Sequence, residues 1–227
     1  TSFHYSACAG CFTGRRVAAV TPQVEPIPER DPRSADPQLE ELVRFVGYRP
    51  SALLTMARKP RLLQAVLALV QVALRGEGAL APELRFLVAC EVSRCAGCRY
   101  SAAHAVHAAH HLGLPWQKLA ELDRWPTSSH YSAAERAALA IAQAGGTLPV
   151  GPVDAAFDGA RRFFGDDQLL EIVAAAALFG WFNRWNSLMG TVLEDVPAQA
   201  LRHVAWLRAM GPAPPPGETP AAARGRP

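Results

Sequence analysis

Prolines and glycines divide this chain into apolar segments, and no stretch alternates apolar and polar residues with period two over a useful length. That punctuation constrains the fold more than any other feature. Pro50, Pro60, Pro82, Pro115 and Pro197 stand at or just before the start of apolar segments. A proline is tolerated in a first helical turn because its missing N–H would have no intrahelical partner there. Gly76 and Gly113 close two of the segments. Ser132 and Glu135 have capping-box spacing ahead of AALAIAQAGG. Helices are therefore predicted over 39–46, after Pro60, after Pro82, from about 98 to 112, after Pro115, after Ser132, over 153–164, over 167–189 and from Pro197. The fold class is all-α, one domain over residues 37–210 with short connections. Residues 1–36, rich in Pro, Ser and charge, read as an extended arm. Residues 211–227, GPAPPPGETPAAARGRP, read as a disordered Pro/Ala-rich tail.

Composition removes several function classes. Apolar residues make up 50% and charged residues 19%, which excludes wholesale disorder. The longest apolar candidate, 169–182, is interrupted by Glu171 and falls short of the roughly 18 residues of a membrane span. It reads as a buried helix, with no membrane partner expected. The first 25 residues hold no continuous apolar core of a secretory leader. Of the 23 basic residues only Lys59 and Lys118 are lysine, and the arginines are scattered, so no nucleic-acid surface is expected.

The five cysteines carry the chemistry. Two identical tetrads, Cys8-Ala-Gly-Cys11 and Cys95-Ala-Gly-Cys98, each hold two thiols about one turn apart. One thiol of such a pair can attack a substrate and the other resolve the product to a disulfide. Cys95 and Cys98 fall at a predicted helix junction marked by Gly97. Redox chemistry is the favoured reading there. A four-cysteine zinc site built from both tetrads is the alternative, and no metal or cofactor is included in the favoured reading. Cys90 reads as a small buried apolar residue. Cysteine usage of this kind fits a reducing, cytoplasmic compartment. His104, His107 and His111 share one helical face, with His110 beside them. Structural roles are expected for the last three.

The stretch 82–113, PELRFLVACEVSRCAGCRYSAAHAVHAAHHLG, resembles the carboxymuconolactone decarboxylase-like family, in particular its alkylhydroperoxidase D-like branch. GYRPSALLTMARKPRLL, SSHYSAAERAALAIAQA and FGWFNRWNSLMGTVLEDVP extend the resemblance over about 47–205. It implies an alkylhydroperoxidase D-like helical bundle that assembles as a homo-oligomer, a trimer or a multiple of one. It also implies a peroxidase-like antioxidant oxidoreductase of peroxiredoxin type, in which a thiol pair attacks and resolves a hydroperoxide. A thiol reductant, such as a lipoyl-bearing protein, would then restore the pair. Two registers are open. In the first, Cys95 and Cys98 are the family pair, Cys98 attacks and Cys95 resolves. His104 and Glu83, twelve residues before Cys95, relay protons, with Glu91, one turn before Cys95, the local rival base, and Tyr100 or Ser101 is a polar neighbour. In the second, Cys98-Arg-Tyr-Ser101 overlays the family's cysteine pair. Ser101 then stands where the attacking cysteine would be, and the chain could be a catalytically weakened homologue.

Overall fold

The computed structural model describes residues 22–210. Cys8, Cys11 and the tail 211–227 lie outside the described residues. Over residues 22–36 the chain runs extended but anchored. Gln23 N–H donates to Met189 C=O (2.8 Å), Ile27 N–H to Leu54 C=O (3.3 Å), and the Ile27 side chain is buried. Asp31 caps a short 3-10 turn, Pro32–Ser34.

Helix α1 (Pro37–Val46) starts on the Asp36 carboxylate, which accepts from Gln38 N–H and Leu39 N–H, and stops at Gly47, whose φ of 85° favours glycine. α2 (Ser51–Met56) and α3 (Pro60–Val70) follow, each with a proline at its start, as the punctuation predicts. α3 continues into a π turn, Gln71–Arg75, closed by Gly76 N–H donating to Gln71 C=O. A π turn holds one residue more than an α turn, so it re-aims the side chains that follow.

α4 (Pro82–Cys95) is the centre of the bundle. It packs against α5 (Arg99–His111), α7 (Ala133–Gly146) and α9 (Asp166–Met189). Residues 85–93 of α4 are all buried, which removes any amphipathic stripe. Its two buried charges are paired. Arg85 donates to Glu171 (2.9 Å) and to Gly76 C=O (2.9 Å), and Glu91 accepts from Arg94 at 2.7 and 2.8 Å. Small residues bring α7 close to α4. A Cβ added at Gly146 would lie 2.8 Å from both the Cys95 Cβ and the Val92 carbonyl oxygen.

Between α4 and α5 the chain reverses over three residues, with Gly97 at φ 68°. Phe45 touches both Phe86 near the start of α4 (6.4 Å between ring centroids) and His111 at the end of α5 (5.1 Å). The two helices therefore run antiparallel, an αα-hairpin. The periphery consists of α6 (Trp116–Ala120), a 3-10 turn at Leu122–Arg124, α8 (Asp154–Ala160), α10 (Asp195–Ala198), α11 (Ala200–His203) and α12 (Ala205–Ala209). The predicted capping box forms at α7: Ser132 N–H donates to Glu135 (2.8 Å) and Glu135 N–H to Ser132 Oγ (3.2 Å). Among the described residues there is no strand, and no helix is long and apolar enough to cross a membrane.

Candidate functional site

A cleft of about 100 Å³ opens along α5, between it and α1, the π turn and α9. Apolar side chains, several of them aromatic, make most of its wall. At one end stand Tyr48, Tyr100, Ser101, His104 and Asn186. An engineered apolar cavity of about 150 Å³ holds a benzene ring, so the enclosed part of this smaller, half-open cleft suits part of a small organic molecule, with the rest reaching out along the mouth.

The imidazole of His104 is fixed on four sides. Its Nε2 lies 2.7 Å from Glu194 Oε2 and its Nδ1 2.8 Å from the Tyr48 hydroxyl. Tyr100 stacks on one face with ring centroids 4.1 Å apart, and Tyr48 packs edge-on at 5.3 Å. Glu194 also accepts from Tyr100 O–H (2.9 Å) and from the Ser51 backbone N–H. Burial alone would raise the Glu194 carboxyl. The His104 hydrogen bond and charge, with the backbone donors, outweigh burial and hold it down at about 2. An ionised Glu194 accepts from Nε2–H, so Nδ1 of the neutral ring accepts from Tyr48 O–H. In the imidazolium form Nδ1–H donates to the Tyr48 oxygen instead. Burial, reinforced by the Glu194 charge, pushes both tyrosine hydroxyls above their ordinary range, so they stay protonated. Glu194, His104 and Tyr48 thus form a chain of hydrogen bonds that ends on the cleft wall.

The predicted site residues divide into three groups. Cys98 occupies the N-cap position of α5, with no side-chain bond to the helix amides, and is 5% exposed. Its thiol donates to Ser101 Oγ (3.3 Å), which also accepts from Asn186 Nδ2 (3.0 Å). Thr191 Oγ1 holds the Asn186 carbonyl oxygen at 3.0 Å. Cys98, Ser101, Tyr100 and His104 are therefore together, on the first turns of α5. Cys95 belongs to a different network at the end of α4. Its thiol faces Glu91 Oε1 (3.4 Å), with Arg94 Nη2 at 3.6 Å and Trp125 Nε1 donating to the same Glu91 oxygen (3.0 Å). Burial and then the Glu91 charge push the Cys95 thiol up to about 12, despite Arg94. Cys90, Cys95 and Cys98 are all free thiols.

Glu83 is not brought to the thiols. It stands in the first turn of α4, about 18 Å along the axis from Cys95. The expected break at Gly97 is present, but the hairpin it makes carries Glu83 toward the far end of α5. The carboxylates near the chemistry are Glu194 and Glu91. Sequence reasoning missed Glu194, Tyr48 and Asn186. The signal for them was the resemblance at GYRP and at FNRWNSLMGTVLEDVP, which extends past the cysteine motif.

The other histidines of α5 have structural contacts. His107 Nε2 bonds Val46 C=O (3.1 Å), and His110 bonds Leu114 C=O (2.9 Å) and stacks on Trp116. Among the described residues no group of three His, Cys, Asp or Glu side chains is placed to hold a metal ion.

An all-helical hairpin core that sets a cysteine and a histidine on one helix beside an apolar cleft defines the alkylhydroperoxidase D-like class of fold. Residues 60–144 match the carboxymuconolactone decarboxylase family, and the chain belongs to it. It is similar to the debrominase Bmp8 at 30% identity, with a TM-score of 0.74, covering 80% of this chain and 97% of that one. A second Bmp8 structure, a cysteine-to-alanine variant in complex with 2,3,4-tribromopyrrole, matches at 29% identity with a TM-score of 0.75, covering 82% of this chain and 98% of that one. An Agrobacterium tumefaciens protein of unknown function, suggested to be the antioxidant-defence protein AhpD, matches at 25% identity with a TM-score of 0.56, over 60% of this chain and 93% of that one. A peroxidase-related protein from Silicibacter sp. shares the fold at 21% identity and a TM-score of 0.67, over 76% of this chain and 93% of that one. Comparison with curated protein sequences gives no match.

Proposed function

We propose that the chain is a thiol-dependent oxidoreductase that reduces organic hydroperoxides. One observation carries the reading. The Cys98 thiol is hydrogen-bonded to a hydroxyl on the wall of an apolar cleft, and the same wall holds Tyr48, backed by His104 and ionised Glu194. The Cys98 thiolate attacks the distal peroxide oxygen. An S–O bond forms, the O–O bond breaks, the peroxide gains two electrons and the sulfur becomes a sulfenic acid. The departing alkoxide takes its proton from Tyr48 O–H, which the imidazolium form of His104 replaces through Nδ1–H; the proton that the Cys98 thiol gives up on ionising passes through solvent and restores that form. Ser101 and Asn186 orient the sulfur. A second thiol, Cys95 after movement of the α4–α5 turn or an external dithiol, then displaces water from the sulfenic acid to give a disulfide, which a dithiol reductant reopens. The oligomer implied by the resemblance would use the exposed apolar residues of α9, Leu170, Val173, Trp181 and Leu188.

The test is consumption of cumene hydroperoxide with a dithiol reductant, comparing wild type with Cys98→Ser. Wild type is expected to turn over and the variant to fall to background. Equal rates refute the proposal. The Bmp8 match and the aromatic lining favour a second reading, reductive dehalogenation of a halogenated aromatic ring. Bromide release from 2,3,4-tribromopyrrole with added thiol, in the absence of peroxide consumption, would select it. Thiols unchanged in number after both substrates would select a non-catalytic binding homologue.

A further inference from the structure

We propose that the cleft takes a molecule with an apolar body and an anionic end group, and that Arg75 selects the anion. The proposal deepens the hydroperoxide reading by naming the class of substrate and rests on it for the reaction, but not for binding.

The cleft is asymmetric. Its polar end is set by Ser101 and His104 on the first turns of α5. Following α5 toward His111 covers seven residues from His104, about 10 Å. The T-shaped contact of His111 with Phe45 marks that second end. There the Arg75 guanidinium lies over the Phe45 ring, 4.9 Å from its centroid. Arg75 is the last residue of the π turn and lines the cleft, and among the described residues no acidic side chain lines it with Arg75. An otherwise apolar wall thus carries one fixed positive charge, at the end opposite the thiol.

That charge is incompletely used. Among the described residues, only Nη2 of the five guanidinium donors has a hydrogen-bond partner, Glu41 at 3.3 Å, and the Glu41 side chain is half exposed. The remaining donors are neither paired nor sealed from solvent. A water-screened pair of this geometry contributes little, so a carboxylate arriving from the cleft can take the free edge of the fork in the bidentate manner that guanidinium favours. The stacking on Phe45 pre-orients the plane, which lowers the entropy lost on binding. A ring or short alkyl chain about 10 Å long would place its anionic end at Arg75 and its other end at Tyr48 and Ser101.

The experiment uses 4-phenylbutyrate and its neutral isostere 4-phenylbutyramide, titrated calorimetrically into the full chain at low ionic strength. Wild type is expected to bind the carboxylate about fivefold tighter than the amide. Arg75→Gln should remove the preference while leaving amide affinity unchanged, Arg75→Lys should keep part of it, and Glu41→Gln should increase it. Cys98→Ser should retain it. Equal affinities in wild type, a preference that survives Arg75→Gln, or no binding of either probe overturns the proposal. Loss of peroxide turnover with the preference intact removes only the hydroperoxide reading.

Discussion

Replacing Glu194 tests whether one carboxylate holds the site together. It accepts from His104, Tyr100 and the Ser51 amide. Glu194→Ala leaves these three donors without their acceptor in a largely buried place. An unsatisfied buried donor costs about 1–3 kcal/mol. Partial water entry and relaxation make the three non-additive, so a loss of about 3–5 kcal/mol is expected. Glu194→Gln keeps the shape and one carbonyl oxygen for Tyr100 and Ser51, and should cost about 1–2 kcal/mol. The pH dependence separates a charge effect from packing. The native carboxyl is held near 2, below its ordinary 4.5. Between those values the unfolded chain binds more protons than the native one, so stability rises with pH. The contribution is complete above about 4.5 and lost as pH falls through 2. A shift of this size is worth at most about 3 kcal/mol. Urea unfolding of wild type and both variants, repeated from pH 7 down to pH 2.5, measures it. The wild-type advantage over Glu194→Gln should shrink across that window. An unchanged difference at all pH values, or Glu194→Ala as stable as wild type, refutes the reasoning.

Ser101→Cys should convert Cys98 and its neighbour into a pair able to form a disulfide, since Cys98 Sγ and Ser101 Oγ are already 3.3 Å apart. Peptide mapping after mild oxidation should find the bond in the variant. Its absence would show that the first turn of α5 does not present the two side chains together. Gly146→Ala should destabilise by about 1–3 kcal/mol, because the new methyl meets the Cys95 Cβ and Val92 C=O at 2.8 Å. Denaturant midpoints at wild-type level would mean that α4 and α7 separate freely. Cys95, held as a thiol by burial and Glu91, should react slowly with a neutral alkylating reagent at pH 7.5, and Glu91→Gln should speed it. Mass spectrometry resolves its labelling from that of the other cysteines, and no change of rate in Glu91→Gln would remove Glu91 as the cause.

The helices were legible where local chemistry marks their ends. The Ser132–Glu135 box, the first-turn prolines of α3 and α4, and a long helix expected over 167–189 against Asp166–Met189 all depend on neighbours in sequence. The helix expected from Pro197 is instead three short ones, α10 to α12. The break before α12 falls at Val204, which is extended and fully buried, a tertiary constraint that propensity does not carry. In the site, Cys98, Tyr100, Ser101 and His104 lie on one helix, and its period groups them. Glu194 is ninety residues from its histidine partner and Tyr48 fifty-six. Only tertiary packing creates those contacts. Glu83 was misplaced for the opposite reason: its spacing from Cys95 matches a motif, but spacing does not say which way a hairpin folds.

The π turn at Gln71–Arg75 has a consequence for how this scaffold can diversify. Removing a single residue there would restore ordinary winding and rotate the last residues of the turn by roughly 100°, with the Gly76–Ala81 loop taking up the change before α4. Arg75 would swing off the mouth of the cleft and another side chain would replace it, with α4 untouched. A one-codon deletion could thus retune which molecules enter, independently of the sulfur and imidazole that act on them.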